Sequence, residues 1–176
     1  GDYSDENGDN WRLNDDRTLF DIVGSGNVVG SSVKRRAGDG SIVTYSYNGQ
    51  AYVATDGAGA HDTITWDGSN WRRTDGDSRI TETYGFRDNA WRMIEQRDTS
   101  GNALTYSHIG GKVSQVATSN GEVIQYNWSG NNLADLMVGY YDHQNGGLWR
   151  AQTRTRYTYD GHNRLSTVTV DLSPED

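Results

Sequence analysis

The feature that most constrains the fold of this chain is an aromatic residue that recurs at intervals of about twenty residues. The recurring residues, which we call the anchors, are Tyr45, Trp66, Tyr84, Tyr106, Tyr126 and Tyr157. Apolar and polar residues alternate before the anchors, as they do in residues 63–66. Because side chains of a β-strand point alternately to its two faces, this pattern predicts half-buried strands and not helices.

Turn-forming dipeptides follow the anchors. They are Asn48-Gly49, Asp67-Gly68, Asp88-Asn89, Gly110-Gly111, Gly130-Asn131 and Asp160-Gly161. Glycine, asparagine and aspartate tolerate the positive φ angles of tight hairpins, so we expect returning strands at residues 51–55, 71–74, 91–97, 113–118, 133–138 and 165–170. Further turns at 56–57, 75–76, 100–101, 120–121 and 145–146 lead into the next hairpin. The sequence therefore predicts an all-β fold of consecutive antiparallel hairpins, in a curved or spiral sheet that could close into a barrel.

The composition agrees with a sheet and argues against several partners. The 176 residues include 22 Gly, 11 Tyr and 6 Trp, and this length permits a buried core. The net charge of −8 is unsuited to a phosphate-binding surface, so we expect no nucleic acid partner. Cysteine is absent, which excludes disulfides and thiolate metal sites. No apolar run has the length of a membrane span, so we expect no membrane insertion.

The hairpin pattern suggests a division of the chain into two regions. Residues 1–37 are expected to form an acidic turn region and irregular N-terminal strands, and residues 38–176 one continuous hairpin array. The Gly24-Ser25-Gly26 run is interpreted as a turn, because the next glycine comes too late for a dinucleotide-binding fingerprint. Residues 1–10 contain neither a basic start nor an apolar segment, so any export signal is expected outside this chain.

The longest interval between anchors contains an insertion at residues 139–152. It includes Tyr140, Tyr141 and Trp149. Two interpretations stay open, a lengthened hairpin that packs over the sheet and an exposed recognition loop.

The last hairpin carries the most specific sequence signal. Its residues Tyr157, Tyr159, Asp160, Gly161, Arg164 and Leu165 match the order Tyr-x-Tyr-Asp, glycine turn, Arg-Leu. This order resembles the YD repeat of RHS proteins, and weaker copies extend back to about residue 41. The resemblance implies a non-enzymatic structural segment of a large secreted or cell-surface protein, of the toxin-shell or adhesin type, whose repeats wind into a spiral sheet. A chain of this length cannot enclose a cargo, so we interpret it as a piece of such an array.

An array of hairpins leaves an unpaired strand at each end, and such edges recruit further strands. We expect residues 165–170 to pair on both sides, either with the N-terminal strands or with another polypeptide. The expected partners are therefore neighbouring repeats of a larger polypeptide, or a second copy bound through edge strands.

No arrangement of residues indicates catalysis, because His61, His108, His143 and His162 are scattered singly. We therefore expect no enzymatic activity. The alternative function is carbohydrate binding, since Trp71, Trp91 and Trp149 lie at or just beyond turns, where an indole ring could stack on a sugar. Burial of these rings in the core is the competing interpretation.

The acidic N-terminal segment contains a pattern that favours calcium. Asp5, Asn7 and Asp9 supply oxygen atoms at alternate positions, and Asp16 falls at the twelfth position of the loop. The sixth position, where such loops require glycine, is Asn10. A solvated acidic turn and a bound calcium ion both remain possible, and no other cofactor is expected.

Overall fold

The computed structural model describes residues 16–54 and 61–172, which form fourteen β-strands and no α-helix. The strands are β1 Thr18–Val23, β2 Ser32–Arg36, β3 Ile42–Tyr47, β4 Tyr52–Ala54, β5 Thr63–Trp66, β6 Trp71–Thr74, β7 Thr81–Arg87, β8 Ala90–Arg97, β9 Ala103–Ile109, β10 Lys112–Thr118, β11 Glu122–Ser129, β12 Asn132–Asp142, β13 Leu148–Tyr159 and β14 Leu165–Val170. Hydrogen-bonded neighbours follow the order of the chain. The predicted all-β fold of antiparallel hairpins is confirmed.

The first eight strands close into a barrel. Strand β1 pairs with β2 on one side and with β8 on the other, where Thr18 lies opposite Arg92 and Leu19 opposite Trp91. Closure leaves neither of these two strands as a free edge. The barrel anticipated from the sequence is thus confirmed, and the strands that close it are the first and the eighth.

The chain divides into two compact units. The first contains, in the described part, residues 16–54 and 61–105, with β1 to β8 and the start of β9. The second contains, in the described part, residues 106–172 with the rest of β9 and β10 to β14. Residue 37, the expected end of the N-terminal region, lies between β2 and β3 of the first unit.

The barrel core takes one large side chain from each strand. These are Leu19, Val33, Tyr45, Tyr52, Ile64, Trp71, Tyr84 and Met93, each at most 2% exposed. The alternation read from the sequence places them on the inner face, and burying each such side chain stabilises the fold by roughly 1.5–3 kcal/mol. The anchors Tyr45 and Tyr84 are therefore core residues.

The segment between β1 and β2 packs against the aromatic residues of the barrel. The backbone N–H of Asn27 donates to the Tyr52 hydroxyl at 2.9 Å, and its side-chain amide donates to the Trp66 carbonyl at 3.0 Å. A Cβ atom on Gly26 would lie 2.5 Å from Cδ1 of Trp66, so only glycine fits there. The Gly24-Ser25-Gly26 run is a turn, as expected. Glycine is required at position 26 because the Trp66 ring lies so close to it.

The hairpin turns show the expected backbone conformations with one exception. Asp88 and Asn89 both have positive φ, as do Gly110 and Gly111. In the last hairpin the left-handed residue is Asn163, with φ of 65°, and not Gly161. The turn after Tyr159 is therefore longer than a two-residue hairpin loop.

In the second unit, the insertion at residues 139–152 is a lengthened hairpin. Strands β12 and β13 contain 11 and 12 residues, and a single 3-10 turn at His143–Asn145 joins them. The Asp142 side chain accepts hydrogen bonds from the backbone N–H groups of Gln144 and Asn145, which fixes this turn. The end of the hairpin carries exposed apolar side chains, namely Tyr140, Tyr141, Leu148 and Trp149.

The last strand corrects one expectation. Within the described residues, β14 pairs with β13 alone, and all six of its residues are exposed. Pairing of β14 with the N-terminal strands is wrong, because β1 uses its second edge to bind β8. Pairing with another polypeptide stays a prediction.

No described helix is long and apolar enough to cross a membrane.

Candidate functional site

Charged side chains share the inner face of the barrel with the core. Arg35 follows Val33 by two positions, Arg73 follows Trp71 by two, and Glu82 precedes Tyr84 by two. The two-residue period of a strand turns each charge to the same side as its apolar neighbour. We call the resulting group the arginine–glutamate cluster; it comprises Arg17, Arg35, Asp62, Arg73, Asp75, Glu82 and Tyr84.

Glu82 lies at the centre of the cluster, and its side chain is 2% exposed. Arg35 donates to its carboxylate from Nε at 3.1 Å and from Nη2 at 2.9 Å. Arg73 donates from Nη1 at 3.2 Å and Arg17 from Nη1 at 2.7 Å. The Tyr84 hydroxyl donates a further hydrogen bond. Both carboxylate oxygens are therefore fully used within the barrel.

Two aspartates balance the remaining positive charge. Arg73 donates from Nη2 to Asp62 at 2.6 Å and to Asp75 at 3.1 Å. Asp62 also accepts the backbone N–H of Gly76 at 3.0 Å. Three guanidinium groups thus face three carboxylates, and the charges compensate. A buried ionic group persists only when it is paired and hydrogen-bonded in this way.

In the cluster, the pKa values of Glu82, Tyr84 and Arg73 are shifted away from neutrality. Burial alone would raise the pKa of Glu82, but the Arg35 and Arg73 guanidiniums outweigh burial and hold it below 4.5. Burial and the neighbouring Glu82 carboxylate raise the pKa of Tyr84. Burial opposes charge on Arg73, yet Glu82 and Asp62 raise its pKa overall. General acids and bases work best with a pKa near the working pH, so these groups are poorly suited to proton transfer.

A cavity of about 310 Å³ opens beside the cluster. Its polar lining includes Arg17, Arg35, Asp39, Arg73, Asp75 and Gln96. The three guanidiniums of the lining already have carboxylate partners among the described residues, so they are not free to bind an anionic ligand. We therefore assign the cluster a role in holding the barrel together.

The tryptophans singled out from the sequence lie in different environments. Trp71 is 2% exposed, and its ring contacts the rings of Tyr52 and Trp66 at centroid distances of 5.0 and 4.9 Å. Trp91 is half-buried and contacts Trp66 and Phe86. Trp71 and Trp91 therefore both contact Trp66, and the Trp71 ring has no face exposed to solvent.

Trp149 belongs to the second unit. It is 37% exposed, and its ring lies 5.0 Å from that of Tyr141 between centroids. Among the three tryptophans proposed for carbohydrate binding, this one has the most accessible indole.

The calcium prediction falls mainly outside the described residues, which include neither Asp5, Asn7 nor Asp9. Asp16 is described and half-buried. Residues 16–54 and 61–172 contain no group of three or more histidine, aspartate or glutamate side chains placed to hold a metal ion. Calcium binding stays a prediction.

The arginine–glutamate cluster was not predicted from the sequence, although the sequence contains a pattern that indicates it. Glu82 sits inside an alternating run and not in a turn, where most of the acidic residues lie. A charged residue two positions from a buried apolar residue, repeated on three strands, is the pattern that indicates a buried ionic network.

Comparison with protein-family models finds no match for this chain, and comparison with curated proteins finds none either. Functional inference therefore depends on the geometry of the described residues.

Proposed function

We propose that this chain is a non-enzymatic structural segment of a large secreted RHS/YD-repeat protein, of the toxin-shell or adhesin type, which serves in display or enclosure. Support comes from the structural roles of the signature residues in the last hairpin. Asp160 accepts hydrogen bonds from the backbone N–H groups of His162 and Arg164, and also from Arg164 Nε at 2.9 Å. The Tyr159 hydroxyl donates to the Leu133 carbonyl at 2.8 Å, which ties β13 to β12. The signature residues thus fix the turn of the last hairpin and hold its first strand against the previous strand.

The observation that carries the proposal is the open edge of β14. The Asp171 N–H donates to the Arg154 carbonyl at 2.8 Å, so the backbone of residue 171 faces β13. The two-residue period then turns residues 167 and 169 to β13 and residues 168 and 170 outward. Within the described residues, no strand accepts these outward groups.

The side chains of this edge do nothing to block pairing. Leu165–Val170 contains no charged residue and no proline, and Val168 and Val170 are 50% and 55% exposed. Proteins that need a free edge usually protect it with lysine, proline or a bulge. The register shift of this ladder lies at the start of β14, before residue 167, so residues 167–170 form a regular edge without these protections. Such an edge suits a neighbouring repeat or a second copy that continues the sheet.

The non-enzymatic part of the proposal is supported by the barrel chemistry. Both oxygens of the Glu82 carboxylate accept hydrogen bonds from arginines, and the pKa of Glu82 is lowered and that of Tyr84 raised, both away from neutrality. A network of this kind stabilises a scaffold and does not exchange protons near pH 7.

The experiment compares the chain with its Val168→Lys variant by sedimentation, up to the highest soluble concentration. We expect the unmodified chain to associate with rising concentration and the variant to associate more weakly, because an edge lysine opposes strand addition. Ile109→Lys is the matched control, since Ile109 is a 75% exposed apolar residue on another strand.

Hydrogen exchange at residues 168 and 170 provides the second readout. We expect these amides to exchange rapidly in the monomer and slowly in the associated form. A chain that stays monomeric with both amides unprotected at every concentration would remove the support for an assembly edge.

A second candidate function is carbohydrate binding at the exposed face of Trp149. The Tyr141 and Trp149 rings form a contiguous surface at the end of the long hairpin. Trp149→Ala should abolish binding in a glycan array if this surface stacks on sugars, whereas Trp91→Ala should act only through stability because its ring packs within the barrel. Unchanged array binding after Trp149→Ala would exclude this surface.

A further inference from the structure

A groove of about 540 Å³ lies on the long hairpin of the second unit. Its lining includes Glu122, Val138, Tyr140, Arg150, Gln152 and Arg154, which come from β11, β12 and β13. This volume lies within the range of roughly 300–1,000 Å³ that is typical of small-molecule sites.

The strand register arranges these side chains in rows. Tyr140 lies opposite Glu122 on β11 and opposite Arg150 on β13. Val138 lies opposite Gln152 in the next row. Directly opposed residues project from the same face of a sheet, about 5 Å apart at Cβ. Tyr140 is therefore flanked by a carboxylate on one side and a guanidinium on the other.

The ring of Tyr140 is available for contact. Its side chain is 52% exposed, and the ring contacts found among the described residues do not involve it. Tyr141 and Trp149, by contrast, project from the opposite face, because side chains of adjacent residues alternate. The groove is thus separate from the Trp149 surface.

The two arginines of the groove retain hydrogen-bond donors. No described residue accepts a hydrogen bond or an ion pair from the side chain of Arg154. The ion-pair contact of Arg150 runs from Nε to Asp142 at 3.7 Å and leaves both of its Nη groups without a partner in the described part of the chain. This differs from the barrel cavity, where the guanidiniums are bound to carboxylates.

A register shift in the β12–β13 ladder helps to place Arg154. Leu136 pairs with Thr155 and Met137 with Thr153, so Arg154 is the extra residue of a β-bulge. Bulges redirect a side chain out of the regular alternation and occur often beside functional sites. Arg154 consequently lines the same groove as Arg150 and Tyr140.

We propose that this groove binds an acidic carbohydrate. The Tyr140 ring provides a flat apolar surface for the C–H face of a sugar ring, and Glu122 provides oxygen atoms for hydroxyl groups. The guanidinium forks of Arg150 and Arg154 match the oxygen atoms of a carboxylate or sulfate. Two guanidiniums against one carboxylate line the groove, although the whole chain has a net charge of −8. The inference goes beyond the structural role and does not depend on it.

The test is an NMR titration of the full chain with four probes. These are an oligogalacturonate, a heparin oligosaccharide, a neutral malto-oligosaccharide and a polyglutamate peptide. We expect shifts at Tyr140, Gln152 and Arg154 with at least one of the two acidic sugars, and the preferred one distinguishes carboxylate from sulfate. Binding should weaken with added salt, since the charges are exposed.

Variants inside and outside the groove locate the site. Tyr140→Ala and Arg154→Gln should each weaken binding by about tenfold or more, which corresponds to about 1.4 kcal/mol. Arg156→Gln, at an exposed arginine of the same strand, and Ile109→Ala, at an exposed apolar residue of β9, are the matched controls and should leave the affinity unchanged.

Three results would overturn the proposal: no shifts with either acidic sugar, equal binding of polyglutamate or the neutral sugar, or equal losses in the control variants. The Val168→Lys variant should retain full binding. Failure of the assembly edge is therefore distinguishable from failure of the groove.

Discussion

Arg35 and Glu82 face each other across the inside of the barrel, where the guanidinium donates from Nε and Nη2 to the carboxylate. Their strands, β2 and β7, are not hydrogen-bonded neighbours in the sheet. The pair therefore joins parts of the barrel that the strand ladder does not connect directly. Arg17 adds a contact from the residue that precedes β1, the strand that closes the barrel.

Replacing Glu82 with glutamine should strongly destabilise the barrel. The change keeps the side-chain shape but leaves three arginines with one carboxylate fewer, and removing one member of a buried ionic group costs about 3–5 kcal/mol. Urea unfolding followed by tryptophan fluorescence measures the loss.

Glu95→Gln is the matched control for Glu82→Gln. Glu95 pairs with Arg97 at 3.0 Å, and their side chains are 33% and 46% exposed, against 2% for Glu82. Because surface ion pairs contribute little, this variant should lose less than about 1 kcal/mol. Equal losses in the two variants would contradict a special role for the buried cluster.

The contribution of Glu82 should disappear in acid. Its pKa in the folded protein lies below the ordinary value of 4.5, so the unfolded chain binds more protons between those two pKa values. The stabilisation is complete above pH 4.5 and is lost as the pH falls through the folded-state pKa. The stability difference between the unmodified chain and Glu82→Gln should therefore shrink from pH 7 towards pH 3, as measured by urea unfolding. A difference that stays constant over this range would show that Glu82 does not act through its charge.

Much of the fold could be predicted because local signals specify hairpins. Alternation fixes which face of a strand is buried, and Asp88-Asn89 or Gly110-Gly111 can adopt the positive φ angles of a tight turn. The closing of the barrel could not be derived in this way. Closure depends on pairing between Leu19 and Trp91, which are far apart in sequence. No local sequence pattern indicates that these two residues pair.

The candidate sites were harder to predict, because they depend on which exposed and buried positions come together. Trp71 and Trp149 both follow turns in the sequence, yet one is buried in the barrel and the other is 37% exposed. Arg154 gains its position from a bulge in the β12–β13 register, and the alternation of residues gives no sign of that shift.

Trp71→Phe should lower the free energy of unfolding only slightly, although Trp71 is a large buried ring. The indole N–H of Trp71 is buried and has no hydrogen-bond partner among the described residues, so the smaller ring removes an unsatisfied donor as well as some packing. We expect a loss of no more than about 1.5 kcal/mol, against about 3–5 kcal/mol for Trp71→Ala.

Trp128→Phe is the comparison for Trp71→Phe. The Trp128 indole donates to the Val113 carbonyl at 2.8 Å, so its removal loses a hydrogen bond worth about 1 kcal/mol in addition to packing. Urea unfolding of each variant, read with probes in its own unit, measures both losses. A Trp71→Phe loss as large as that of Trp71→Ala would mean that the full indole is required.

Gly139→Ala should loosen the long hairpin at the position where Trp149 lies on it. A Cβ atom at residue 139 would come 2.6 Å from Cζ2 of Trp149 and would also press on the Arg150 carbonyl. The backbone of Gly139 is not in the positive-φ region, so the clash with its neighbours decides the outcome. We expect a loss of about 1–3 kcal/mol, read as faster hydrogen exchange of the β12 and β13 amides, with a changed environment for the Trp149 ring. Gly161→Ala is the matched control, because a Cβ atom there meets nothing within 4 Å and its φ is also not positive. If hydrogen exchange in Gly139→Ala is as slow as in Gly161→Ala, the Trp149 ring does not pack against Gly139. The rigid surface that Trp149 forms with Tyr141 would then not be supported by this contact.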